Sequence, residues 1–263
     1  RNILEEGLYK EAKGKGGRRP YDYVLLFKIL ILQRYYNLSD DQIEYQINDR
    51  MSFMRFLDLT ISDDVPDSKT VWNFKELITD LGLIEQAFEL FLKELENLGL
   101  VVNEGKIVDA SFVEVPKQRN KKDQNEQIKK GEIPEDFKNN PNKLAQKDVD
   151  AKWTQKNNVN YYGYKNHIKC DSKSKLIVKY WVSDASVHDS NATEILLDEK
   201  DKGEAFYADS AYSGEPQEKI IADKKMSNKV LQKSPTNRGS EIQQHRKIKN
   251  PIQSRAYFRI YGK

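Results

Sequence analysis

The chain has 263 residues, of which 38% are hydrophobic and 32% are charged, and its formal net charge is +3. This apolar content excludes general disorder, and the length favours one large domain with a smaller one attached. The longest apolar run, residues 24–32, covers about half of the ~20 residues that a membrane span needs, so we expect no membrane insertion. The single cysteine, Cys170, excludes an intrachain disulfide and favours a reducing cytoplasm.

Charge is distributed unevenly along the chain. Residues 1–20 carry six Lys and Arg against three Glu, and residues 233–263 carry eight against Glu241 alone, which leaves −7 for the middle. Basic ends around an acidic body suggest that the termini hold a polyanion and that separated carboxylates need a cation. Charge alone favours the simpler interpretation, in which Lys-rich ends keep the chain soluble.

Residues 21–99, which follow a basic lead-in at residues 1–20, predict a separate all-helical domain of about four helices. Apolar residues recur there at spacings of three and four. Ser39 and Gln42 have the form of a capping box, and Asp67 is placed to cap a further helix. Some helical bundles bind DNA, but helical periodicity alone is weak evidence for that function.

Residues 100–263 predict an α/β domain. The alternating, β-branched residues 106–115 indicate a strand, whereas the highly polar residues 117–160 are typical of a long loop that is functional or mobile. Two strands, a helix from Asp189, a short strand, a second helix and a final strand follow, at residues 164–171, 176–183, 189–197, 205–209, 216–225 and 229–232. This order indicates a sheet with helices on its faces.

Two acidic residues occupy unusual positions in these strands. Asp109 lies in the middle of the first strand and Asp209 at the carboxyl end of the fourth, each beside apolar residues. Asp is depleted in strands and costly to bury unpaired, although either residue alone is best explained as a turn cap or a partner of Lys. Together on adjacent strands, the two carboxylates would repel each other unless a divalent cation lay between them. Phosphodiester hydrolysis and strand transfer use two Mg²⁺ ions held in this way.

The sequence then resembles a known family along nearly its whole length. Residues 16–80, beginning GGRRPYDYVLLFKILILQRYYNLSDDQ, resemble the amino-terminal domain of bacterial insertion-sequence transposases of the insertion-sequence-five type. The blocks KIVDASFVEVPKQRN, QKDVDAKWTQKN, YYGYKNHIKCD, VSDASVHDS and YADSAYSG resemble, in the family's order, its DDE catalytic domain. The resemblance implies an RNase H-like mixed sheet flanked by helices, and it places the family's first two catalytic, metal-binding acids at Asp109 and Asp209.

The resemblance also implies cofactors and partners. We expect two Mg²⁺ ions, terminal inverted repeats and target DNA as partners, a homo-oligomer on DNA, and a cytoplasmic, nucleoid-associated location in a bacterium. Arg18 and Arg19 in the lead-in, and Lys165 and His167 on the strand beside the first acid, are candidates for contacts to DNA phosphates. An exposed strand face explains Lys165 and His167 equally well. His188 and Asp189 are interpreted as an N-cap.

The family's third acid is a Glu in a carboxyl-terminal block like RSRVEHIFG, and no Glu follows Glu241 here. Glu241 is a weak candidate, because its neighbours resemble a loop. One permitted coding of residues 247–263, read one base later, encodes KSRIRSRVEHIFGFME, so we expect a frameshifted or truncated carboxyl end. The hypothesis is a transposase impaired by loss of the third acid. The alternatives are a catalytically dead DNA-binding or regulatory remnant and, less favoured, an RNase H-type nuclease with an unrelated role.

Overall fold

The computed structural model of the protein describes residues 1–8, 20–156 and 158–231. The chain divides into two compact units, Arg1–Leu100 and Val101–Lys263. Arg18, Arg19, Glu241 and the tail at residues 247–263 lie outside the described residues, so the predictions made for them stay predictions.

The first unit is helical, which confirms the prediction for the amino-terminal region. Ser39 Oγ accepts from the backbone N–H of Gln42, and Gln42 Oε1 accepts from the backbone N–H of Ser39, so the predicted capping box is present. Asp67 caps the helix that follows it through the backbone of Thr70, at 2.6 Å. The helices are α1 (Asn2–Leu8), α2 (Tyr23–Tyr35), α3 (Asp40–Asp49), α4 (Met51–Leu57), α5 (Ser68–Asp80) and α6 (Leu83–Asn97). Their buried core includes Ile29, Ile43, Ile47, Val71 and Ile78.

The second unit contains a mixed sheet of six strands in the order β2-β3-β1-β5-β6, with β4 paired to β3. β1 runs antiparallel to β3 and parallel to β5, so the sheet changes from antiparallel to parallel at β1. The strands are β1 (Gly105–Glu114), β2 (Lys152–Lys156), β3 (Val159–Asp171), β4 (Ile177–Asp184), β5 (Ala205–Tyr207) and β6 (Ser227–Asn228). The mixed α/β class predicted from the sequence is confirmed.

The longest strand, β3, has three partners. One of its edges pairs with β1, while the other pairs first with β2 and then, from Tyr164 onward, with β4. Gly163 lies where the partner changes, with a φ of 143°. A Cβ at this position would lie 2.2 Å from the carbonyl oxygen of Val113, so the close approach of β1 and β3 here requires glycine.

Residues 117–160, which the sequence indicates to be a long loop, are instead largely folded. They contain α7 (Lys122–Lys129), α8 (Glu135–Lys138), α9 (Pro141–Ala145) and β2. Phe137 is fully buried and Ile128 nearly so, which gives this insertion a small core of its own. The loop prediction was wrong because α8 and α9 have only four and five residues, too few to show a helical period.

Helices cover the central strands of the sheet. Val108 and Phe206 pack in one core cluster with Ala192 and Leu196 of α10 (Ala192–Leu196) and Ile221 of α11 (Glu215–Asp223). Both helices were predicted, α10 with a short 3-10 turn at Asp189–Asn191 before it. None of the helices in the described part of the chain is long and apolar enough to cross a membrane.

Candidate active site

The parallel pairing of β1 with β5 places Asp109 and Asp209 on adjacent chain segments. The register aligns Ile107 with Tyr207, and each Asp lies two residues beyond that pair. Asp109 is still inside β1, opposite Ile168 of β3, whereas Asp209 follows the end of β5. Asp209 caps a 3-10 turn by accepting from the backbone N–H of Ala211 at 2.9 Å. We call Asp109 and Asp209 the acid pair.

The carboxyl of Asp109 is in an environment that disfavours its charge. Burial raises the pKa of Asp109, and the negative charges of Asp209 and Asp189 raise it further. The backbone N–H of Ala110, which donates to Asp109 Oδ1 at 2.8 Å, and the cation of Lys156 act in the opposite direction without cancelling the effect. Burial is therefore the main reason that the charged form of Asp109 is disfavoured, and the two neighbouring carboxylates add to it.

Tyr212 contributes a buried hydroxyl group to the same region. Its side chain is 1% exposed, and its Oη has no hydrogen-bond partner among the described residues. Burial raises the pKa of this hydroxyl, as do the negative charges of Asp189, Asp109 and Asp209. A buried, unpaired hydroxyl beside carboxylates is costly unless something donates to it or accepts from it, so the region is suited to a bound polar group.

Asp189 is held beside the acid pair by lysines from two strands. Its Oδ1 lies 2.8 Å from Lys165 Nζ, a charge contact rather than an aligned hydrogen bond, and its Oδ2 lies 3.9 Å from Lys156 Nζ. Lys165 also donates to the carbonyl of Val187 at 2.5 Å. His188, not Asp189, caps the 3-10 turn, by accepting from the backbone of Ser190. The sequence predicted an N-cap at His188 and Asp189. This prediction is confirmed for His188, whereas the side chain of Asp189 makes ion pairs.

His167 is completely buried between two strands. Its Nε2 lies 2.9 Å from Ser183 Oγ, and its ring stacks on Trp181 with centroids 5.0 Å apart. Burial lowers the pKa of His167, the negative charge of Asp189 opposes this without cancelling it, and the cation of Lys165 lowers the pKa further, so the neutral ring is favoured. Lys165, 8% exposed, and His167 thus have partners inside the protein, and their contact to DNA stays a prediction.

Sequence reasoning missed three groups of this region: the lysine-paired role of Asp189, Lys156 and the hydroxyl of Tyr212. Lys156 lies in the insertion, whose fold the sequence did not predict. Tyr212 stands three residues after Asp209 in the block YADSAYSG, and an aromatic residue so close to a candidate acid was the available signal.

Comparison with known proteins gives two matches to protein families and one to a solved structure. The model of a transposase domain, DUF772, matches residues 2–77, and the model of the transposase DDE domain matches residues 102–261. A piggyBac transposase, solved by cryo-electron microscopy as a synaptic complex with hairpin DNA, is similar with 13% identity and a TM-score of 0.37. That match covers 90% of this chain and 47% of the piggyBac chain, so this chain spans about half the length of that transposase.

Proposed function

The chain belongs to the family of transposases with a DDE domain, and from that membership we propose that it acts on insertion-sequence ends. The proposed substrates are terminal inverted repeats and target DNA. The proposed reaction is metal-dependent cleavage of a DNA strand followed by transfer of its 3′ end, carried out by a homo-oligomer on DNA.

The observation that carries this proposal is the position of the acid pair. The parallel register pairs Ile107 with Tyr207, two residues before each Asp, and the pKa of Asp109 is raised by burial and further by the charge of Asp209. Such mutual repulsion is what a divalent cation between two carboxylates relieves. When bound, Mg²⁺ would activate the attacking oxygen and stabilise the leaving oxygen at a phosphodiester.

The residues present fit a cation only in part. Two carboxylates are hard oxygen ligands, which Mg²⁺ prefers, and the unpaired Tyr212 Oη is a further polar group beside them. Within residues 1–8, 20–156 and 158–231, no group of three His, Cys, Asp or Glu side chains is arranged to hold a metal ion. Asp189, the nearest candidate for a third acid, is already paired with Lys165. We therefore propose weak Mg²⁺ binding and impaired cleavage.

The chain's own residues have assigned parts in this proposal. Asp109 and Asp209 would hold the cation. Lys165 and Lys156 hold Asp189, which keeps a third negative charge near the acid pair without adding it to the ligand set. The second candidate function, a DNA-binding remnant without cleavage activity, is favoured by the sequence, in which no Glu follows Glu241.

Binding of Mn²⁺, followed by electron paramagnetic resonance, tests the site separately from the reaction. We expect weak binding by the unmodified chain, and loss of binding in Asp109→Asn and Asp209→Asn. Asp223→Asn, an exposed acid at the end of α11, is the matched control and should bind as the unmodified chain does. Equal binding by all four proteins would overturn the assignment of the acid pair.

Cleavage of DNA tests the reaction. The substrate is duplex DNA that carries the sequences flanking the gene of this chain, and the products are separated on a denaturing gel with and without Mg²⁺. We expect slow Mg²⁺-dependent nicking that falls at least about 100-fold in Asp109→Asn. DNA binding without any nicking would favour the remnant, and absence of both binding and nicking would overturn the proposed function.

A further inference from the structure

The insertion, residues 117–160, differs from the rest of the described chain in its charge. It carries eleven Lys and Arg against seven Asp and Glu, a net charge of +4. Residues 21–98 of the helical unit carry seven basic and fifteen acidic residues, a net charge of −8. Negative charge repels phosphates, so residues 21–98 are poorly suited to hold DNA by charge, whereas the insertion is well suited to it.

Among the described residues, ion pairs engage three of the eleven positive charges of the insertion, those of Lys143, Lys152 and Lys156. Lys143 pairs with Asp136, and Lys147 donates to Asn120 Oδ1 at 2.7 Å. The ammonium groups of both lysines also lie over the ring of the buried Phe137, at 5.3 and 5.7 Å from its centroid. These two lysines therefore hold α8 and α9 on the core of the insertion.

The lysine side chains of α7 and of its carboxyl end are exposed. Lys122 and Lys129 are seven residues apart on α7, so they lie on the same side, opposite the buried Gln124 and Ile128. With Lys130 at the end of α7, they form what we call the α7 lysine face. All three are exposed, and no ion pair to any of them is present among the described residues. At 1.5 Å per residue, Lys122 and Lys129 are about 10 Å apart along the helix, within the reach of one DNA backbone.

The insertion is also tied to β3, the strand that pairs with β1. Tyr164 donates to Asp148 Oδ1 at 2.7 Å, and Tyr162 donates to the carbonyl of Asp148 at 3.2 Å. At the end of β2, the cation of Lys156 acts on Asp109: burial raises the pKa of that carboxyl, and Lys156 partly opposes this. A DNA duplex on the insertion would therefore be held by a fixed part of the same unit that carries the acid pair.

We propose that the α7 lysine face binds the phosphate backbone of duplex DNA and holds it beside the acid pair. This inference rests on the proposed function, because it takes DNA as the substrate. It differs from the sequence prediction, which assigned phosphate contacts to Arg18, Arg19, Lys165 and His167. Contacts of this kind carry no sequence information and fix the position of the duplex.

The test compares two triple variants of the full chain. In the first, Lys122, Lys129 and Lys130 are replaced by Ala. In the matched control, Lys69, Lys93 and Lys219 are replaced by Ala. These three are also exposed and helical, and the substitutions remove the same charge. Binding of a fluorescein-labelled DNA duplex is followed by anisotropy across a series of salt concentrations.

Each lost phosphate contact lowers the dependence of log K on log salt by about 1. We expect the first variant to lose about 3 from that slope and at least about tenfold in affinity at 0.1 M salt, while the control keeps the slope of the unmodified chain. An unchanged slope in the first variant, or an equal loss in the control, overturns this inference alone. Failure of the unmodified chain to bind DNA overturns the proposed function with it.

Discussion

Lys169→Met removes a buried cation from two carboxylates of the second unit. Lys169 is 3% exposed, and its Nζ lies 2.7 Å from Asp201 Oδ2 and 2.8 Å from Asp198 Oδ2. Asp198 is 41% exposed and keeps a second ion pair, to Lys179 at 2.5 Å. Asp201 is 3% exposed at its side chain and, within the described residues, has no other cation. The substitution therefore leaves one buried carboxylate without a counter-charge.

An uncompensated buried charge of this kind costs about 3–5 kcal/mol of the free energy of unfolding. In the unmodified chain, the backbone N–H of Asp198 donates to Asp201 Oδ2 at 2.8 Å. In the double variant Lys169→Met/Asp201→Asn, the side-chain amide at position 201 is neutral and its oxygen can still accept this bond. We expect the second substitution to recover at least about 2 kcal/mol. Lys173→Met is the control, because Lys173 and Glu104 pair while 60% and 57% exposed, and loss of such a pair costs at most about 1 kcal/mol.

Urea unfolding followed by the fluorescence of Trp181 measures these differences. Trp181 lies on β4 and stacks on His167, so it reports on the second unit. Trp72 and Trp153 are replaced by Phe in all variants, so that no other tryptophan contributes to the signal. A cost below about 1 kcal/mol for Lys169→Met, or a double variant no more stable than the single one, would refute the reasoning.

Three further predictions use the same measurement. Asp109→Asn should stabilise the metal-free chain at pH 7, because the pKa of Asp109 is raised in the folded state and its ionised form therefore destabilises that state. The substitution should also abolish stabilisation by Mg²⁺, which is about 2.7 kcal/mol at 100 times Kd, and an equal effect of Mg²⁺ on the variant and the unmodified chain would contradict this. In the unmodified chain, the free energy of unfolding should fall below about pH 6.5 by up to about 1.4 kcal/mol per pH unit, because the pKa of His167 is lowered in the folded state and the unfolded chain takes up the proton first. His167→Gln should reduce this fall between pH 7.5 and pH 5.5, and an unchanged fall would count against the prediction. Gly163→Ala should lower the free energy of unfolding by at least about 2 kcal/mol, because its Cβ would meet the backbone of Val113. A loss below about 0.5 kcal/mol would show that β1 can move away.

The sequence by itself determined the elements that have a clear period or cap. Apolar spacing and the Ser39 capping box predicted the helical unit, and alternation predicted β1 with Asp109 in its middle. The block YADSAYSG predicted a short strand ending near Asp209, and β5 is found there. These features are local, because a period of two or of 3.6 residues and a cap three residues away are visible within one segment.

Only the tertiary structure decided which charged groups lie together. Asp189 has the local features of a helix cap, yet it pairs with Lys165 and Lys156 on two distant strands. His167, which the sequence offers as a candidate phosphate contact or as part of an exposed strand face, is completely buried, with its Nε2 2.9 Å from Ser183 Oγ of β4. Phe137 organises an insertion whose short helices have no readable period. Strand register and long-range ion pairs depend on which segments meet in the folded sheet, and no single segment of the sequence carries that information.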